Sequence, residues 1–143
     1  MSLYQHILAA VDFGKNSIAV LRQAAALAQL CEARLFVLHV VEYSPAPDVD
    51  YVIPPADDME ERLIEAAEKQ LFQLLEQAGL SNGADPLVVS GRPKVEILRI
   101  ARQEEVDLIV AGAHGRHGIL GLLGSTTDRV LHQAACDVLT VRG

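Results

Sequence analysis

The chain has 143 residues, half of them hydrophobic, only 4% aromatic, and a formal net charge of −7. That length suits a single domain, residues 1–143, whose core needs neither disulfide nor metal and is left to Val, Leu, Ile and Ala. The acidic balance argues against nucleic acid as a partner, because phosphate backbones are held by an excess of Lys and Arg.

Cys31 and Cys136 are the two cysteines and lie outside any CxxC pair. They read as small buried residues, not as a zinc site or a disulfide framework. Met1-Ser2-Leu3-Tyr4-Gln5-His6 has no basic region leading into a long apolar one, so no signal peptide is expected. No apolar run reaches membrane-spanning length, and the expectation is a cytoplasmic protein without a membrane partner.

In chain order, residues 6–12 form a short apolar strand ending on Asp12, and Ile18, Leu21, Ala25 and Ala28 then recur on one helical face. Residues 34–41 are a second apolar run with the aliphatic content of a buried strand. Segment 43–58, with Pro45, Pro47, Pro54 and Pro55 among four aspartates, reads as a long loop. Such a loop serves as a lid or as plain variable surface, and it is assigned no chemical role.

Helical periodicity returns with Leu63, Ala67, Leu71, Leu74 and Ala78, and Gly79 is a natural stop. Leu87-Val88-Val89 is a third strand. Gly91-Arg92-Pro93 is a turn, with Pro93 suited to the first turn of a helix carrying Ile97, Leu98 and Ala101. A fourth strand at 106–111 is followed by a glycine loop and a helix holding Val130, Leu131 and Ala134. Residues 138–141 make a fifth strand. Strands alternating with helices in this way predict an α/β fold, a parallel sheet with helices on both faces.

The glycine loop repeats every third residue, Gly112, Gly115, Gly118, Gly121 and Gly124, and leads into Ser125-Thr126-Thr127-Asp128. A strand, a glycine loop and a capped helix start are the parts that hold a phosphate. Glycine lets backbone N–H groups approach an anion, and the helix start adds unpaired donors. The period is not collagen-like, because the intervening pairs contain no proline. Ser125 with Asp128 is also an ordinary capping box, complete without a ligand, so spacing alone leaves both readings open.

Other nucleotide motifs fail on inspection. Gly14-Lys15-Asn16 lacks the earlier glycine and the hydroxyl of a P-loop, and Gly112-Ala113-His114-Gly115 is not GxGxxG. His114-Gly115-Arg116-His117 does not match the HxGH motif of class I aminoacyl-tRNA synthetases.

Four stretches together resemble the universal stress protein family over nearly the whole chain. They are His6-Ile7-Leu8-Ala9-Ala10-Val11-Asp12-Phe13, Leu38-His39-Val40-Val41, Gly91-Arg92-Pro93 and a C-terminal signature. The signature is Val106-Asp107-Leu108-Ile109-Val110-Ala111-Gly112-Ala113-His114-Gly115-Arg116, with Gly124-Ser125 and Cys136-Asp137-Val138-Leu139-Thr140-Val141. It is the most specific of the four.

The resemblance implies an open five-stranded parallel sheet in the order 3-2-1-4-5, Rossmann-like, with ATP (with or without Mg²⁺) bound where the order reverses between strands 1 and 4. By position, Asp12 and Val40 would line the adenosine side. Gly112, His114, Gly115 and Arg116 would start the phosphate cradle, and Gly124, Ser125 and Thr126 would close it. Arg116 reads either as a phosphate contact or as a solvated loop charge. Asp12 would bond the ribose or a metal-bound water, or cap the following helix.

The implied function is a dimeric ATP-binding regulator of a stress response, with at most slow ATP hydrolysis. Of the loop residues only His114, His117 and Arg116 offer catalytic chemistry, so no catalytic residue is assigned. A homodimer through the C-terminal strand, with Val138, Thr140 and Val141 near the interface, and an unidentified signalling protein are the implied partners. The alternative is a nucleotide-free interaction module like the family's type-A members.

Two features depart from the ATP-binding pattern. Gly115 and Gly124 enclose eight residues, 116–123, where the pattern has nine. Gly14 also stands where Ser is common, and Ser17 reads as a poor positional substitute for that hydroxyl.

Overall fold

The computed structural model describes residues 3–43, 58–113 and 133–142. The long acidic loop, all but its ends, and most of the segment from the glycine loop into its helix lie outside these residues. Within them the chain runs β1 (His6–Ala10), α1 (Ser17–Cys31), β2 (Arg34–Val41), α2 (Met59–Gln77), β3 (Asp85–Ser90), α3 (Pro93–Gln103), β4 (Leu108–Gly112) and β5 (Asp137–Val141). The strands form one parallel sheet in the order β3-β2-β1-β4-β5, as the resemblance implies.

A period of two along each central strand divides the core into two layers. Ile7, Ala9, Leu35, Val37, Leu108 and Val110 face one side, where α1 supplies Val20, Leu21, Ala24 and Ala28 and α2 supplies Leu71 and Leu75. Leu8, Phe36, Leu38, Val40 and Ile109 face the other, against Ile97, Ile100 and Ala101 of α3. Register locks this division in place, because Leu8 pairs with Phe36 on one side and Ile109 on the other. A slip of one residue would turn each row to the wrong layer. Full burial of side chains such as Leu8 and Leu71 stabilises the fold by about 1.5–3 kcal/mol each.

Several strand limits differ from the sequence reading for local reasons. β1 stops at Ala10. Val11 N–H still donates to Leu38 O at 2.9 Å, but Phe13 then turns to φ +64°. β3 begins two residues early and includes Pro86, which an edge strand tolerates because one side of its backbone needs no partner. β4 starts at Leu108, not Val106, because Val106 N–H donates to Ala101 O and closes the end of α3.

Pro93 takes the first turn of α3, and Gly79, at φ +75°, follows the end of α2, both as read from the sequence. Cys31 and Cys136 are half-buried, not fully enclosed. None of the described helices is long and apolar enough to cross a membrane.

Candidate functional site

The carboxyl end of β1 is shaped by a short run of polar contacts. Asp12 Oδ1 accepts a hydrogen bond from Gly14 N–H at 2.8 Å, and Ser17 N–H donates to Gly14 O at 3.1 Å as α1 begins. A side chain at Gly14 would put its Cβ 2.8 Å from Asp12 Oδ1, so glycine is what lets this turn close around the carboxylate. The Asp12 carboxylate thus holds the turn that leads into α1, and does so without capping the helix itself.

Phe13 lies between, in the left-handed region that L-residues enter at a cost of about 1–2 kcal/mol. Its ring stacks on His39 with centroids 3.9 Å apart and an interplanar angle of 20°. His39 Nδ1 is 2.9 Å from Val11 O, and since a carbonyl can only accept, the proton sits on Nδ1. The stack and this bond join β2 to the strained end of β1.

These contacts border a cleft open to solvent. It is lined by Val11 and Asp12 after β1, Leu38 and Val40 of β2, Gly112 at the end of β4, Asn16, Ser17 and Val20 at the start of α1, and Pro93 and Ile97 at the start of α3. The walls are mainly apolar. Asp12 is the charged member among the described residues, and the polar ones are Asp12 and Asn16 of the turn between β1 and α1 and Ser17, the first residue of α1. Ser17 is 2% exposed, and its Oγ has no hydrogen-bond partner among the described residues.

The sequence-predicted site residues Asp12, Val40 and Gly112 thus meet in one cleft, at the carboxyl ends of the strands beside the reversal of sheet order. His114, Gly115, Arg116, Gly124, Ser125 and Thr126 lie outside the described residues. Sequence reasoning set Ser17 aside as a poor stand-in for a residue at position 14, yet it lines the cleft. A signal existed, because Ser17 is the one hydroxyl on the stripe Ser17, Val20, Leu21, Ala24 and Ala28 that α1 buries. The Phe13–His39 stack had no local signal, since its partners are 26 positions apart and meet only through strand pairing.

Comparison with known proteins agrees with this architecture. The Universal stress protein family matches residues 3–142. Universal stress protein A homolog 2 of Coxiella burnetii is 39% identical over 143 residues, covering 99% of this chain and 97% of the relative. The structure of universal stress protein UspA from Lactobacillus plantarum superposes with a TM-score of 0.74 at 30% identity, covering 99% and 100% of the two chains. A universal stress protein in complex with cAMP gives a TM-score of 0.66 at 26% identity, covering 98% of each chain. With the sheet order, the fold and a match that spans almost every residue in agreement, the chain belongs to the universal stress protein family.

Proposed function

We propose that the cleft binds an adenine nucleotide, ATP by preference, and that the protein acts as a nucleotide-responsive regulator in a stress response, with at most slow hydrolysis. The observation that carries this reading is the convergence of Asp12, Val40 and Gly112 on one apolar-walled cleft at the sheet's switch point. The cAMP complex of a relative supports an adenine nucleotide as the ligand class.

The division of the cleft fits such a ligand. Val40, Leu38, Pro93 and Ile97 offer a surface for the flat base, and Gly112 starts the backbone toward the glycine loop. Asp12 repels phosphate at contact range, so the phosphates belong on the Gly112 side. ATP would bring its own Mg²⁺ for charge neutralisation, and no residue of the chain is assigned to chemistry.

Isothermal titration of nucleotide-stripped protein with ATP, ADP and cAMP, each with and without Mg²⁺, tests the proposal. Affinity in the micromolar range, on the order of −8 kcal/mol, supports it. Absence of binding by all three overturns it in favour of the nucleotide-free interaction module.

The same reading includes a homodimer through β5. That strand pairs with β4 on one side and lies at the sheet edge, with Val138 and Val141 half-buried and Thr140 exposed. Sedimentation equilibrium is expected to give twice the chain mass, and a monomer at micromolar concentration counts against that arrangement.

A further inference from the structure

Ser17 Oγ is the buried side-chain polar atom without a hydrogen-bond partner among the described residues, and Ser17 lines the candidate cleft. A hydroxyl shut away from water without a partner is costly, and folded proteins rarely leave one so. Its polar neighbours in the cleft differ. Asp12 Oδ1 is engaged by Gly14 N–H, and Asn16 also has a partner. Ser17 therefore holds unspent hydrogen-bonding capacity at the foot of α1, where the chain could have placed an alanine in keeping with Ala24 and Ala28 on the same buried stripe.

We infer that Ser17 is a sugar-recognition residue of this cleft, whose hydroxyl, closed off in the nucleotide-free chain, is uncovered on binding and makes its hydrogen bond to a ribose hydroxyl of the bound nucleotide. The inference rests on the nucleotide reading above and names what part of the ligand this corner takes. Asp12 carries a negative charge in the same corner, which excludes a phosphate from it. The remaining walls are apolar and suit the base. The uncharged, hydroxyl-bearing part of a nucleotide is its sugar, and a serine can both donate to and accept from it.

The consequence is a pair of opposite effects from one substitution. Ser17→Ala removes an unsatisfied group from the nucleotide-free protein, so its Tm is expected to rise by about 2–5 °C. The same change is expected to weaken ATP binding by about three- to tenfold.

The experiment combines thermal denaturation without nucleotide with calorimetric titration of ATP, 2′-deoxy-ATP and 3′-deoxy-ATP into the parent, Ser17→Ala and Ser17→Cys. The expected result is that one deoxynucleotide, the one lacking the partnered hydroxyl, binds parent and Ser17→Ala equally, while ATP distinguishes them. Ser17→Cys fills the volume with a weak hydrogen-bonding group and is expected to bind ATP as weakly as Ser17→Ala. A lower Tm in Ser17→Ala, unchanged ATP affinity, recovery of affinity in Ser17→Cys, or equal losses with all three nucleotides each overturn the inference while leaving ATP binding intact. A parent protein that binds none of the three overturns the nucleotide reading itself, and the role of Ser17 with it.

Discussion

At Gly14 a single hydrogen atom in place of a side chain decides where the Asp12 carboxylate points. Its N–H holds Asp12 Oδ1 at 2.8 Å, and a Cβ would arrive at the same distance from that oxygen. Gly14→Ala is therefore expected to push the carboxylate out of the turn and break the bond. The loss should be about 1 kcal/mol in urea denaturation, with a several-fold drop in nucleotide affinity by calorimetry. Asp12→Asn keeps an acceptor oxygen in place and is expected to retain most of the stability, which separates the turn's need for an oxygen from any effect of the charge on nucleotide affinity. Asp12 itself was legible in the sequence because the first apolar run ends on it, although β1 stops two residues earlier, at Ala10. The meaning of Gly14 was not. In the sequence it is a missing hydroxyl, and only the turn geometry shows that it is permission for Asp12 to fold back.

At the scale of elements, the three described helices all end by the same device. After α2, Gly79 is left-handed and Leu80 N–H reaches back to Leu75 O at 2.8 Å. After α1, Glu32 takes φ +55° and Ala33 N–H reaches Ala28 O at 2.8 Å. After α3, Glu105 takes φ +53° and Val106 N–H reaches Ala101 O at 2.8 Å. Each left-handed residue lets the chain reverse direction into the next strand while satisfying a helix carbonyl. Glycine does this without steric cost, and glutamate does not. Glu32→Gly and Glu105→Gly are each expected to raise stability by about 0.5–1 kcal/mol, read as a higher urea midpoint with an unchanged slope. A fall in the midpoint at either position would show that the glutamate side chain contributes more than its backbone strain costs. The stop at Gly79 was readable because glycine is the expected residue there. The other two were not, since glutamate favours helix and nothing local marks it as the place where one ends. The alternation of apolar runs carried the element order regardless, because burial of both sheet faces dominates over caps worth about 1 kcal/mol.

Across the whole molecule, the two ends of the sheet divide the work. The carboxyl ends of the strands open on the cleft, and the amino ends are bound together by polar groups. Asp107, just before β4, accepts Gln5 N–H at 2.8 Å and His6 N–H at 3.1 Å, and Tyr4 Oη donates to Asp137 Oδ2 at 2.8 Å at the start of β5. Two groups at this end hold their protons more firmly in the fold. Burial, followed by the charges of Asp137 and Asp107, pushes the Cys136 thiol above its ordinary value. The hydrogen bond to Asp137, chiefly, does the same to the Tyr4 phenol. In both cases the folded chain keeps a proton that the unfolded chain releases at lower pH. The folded state therefore binds more protons as pH rises through the ordinary thiol and phenol ranges, and stability falls over that window. Urea midpoints are accordingly expected to be level near neutrality and to decline from about pH 8.5 through about pH 10 and above. Cys136→Ala should flatten the first part of that decline and Tyr4→Phe the second. Neither substitution should alter nucleotide affinity at neutral pH, because both residues stand at the end of the sheet opposite the cleft. A decline of equal steepness in the double variant would place the alkaline sensitivity elsewhere in the chain.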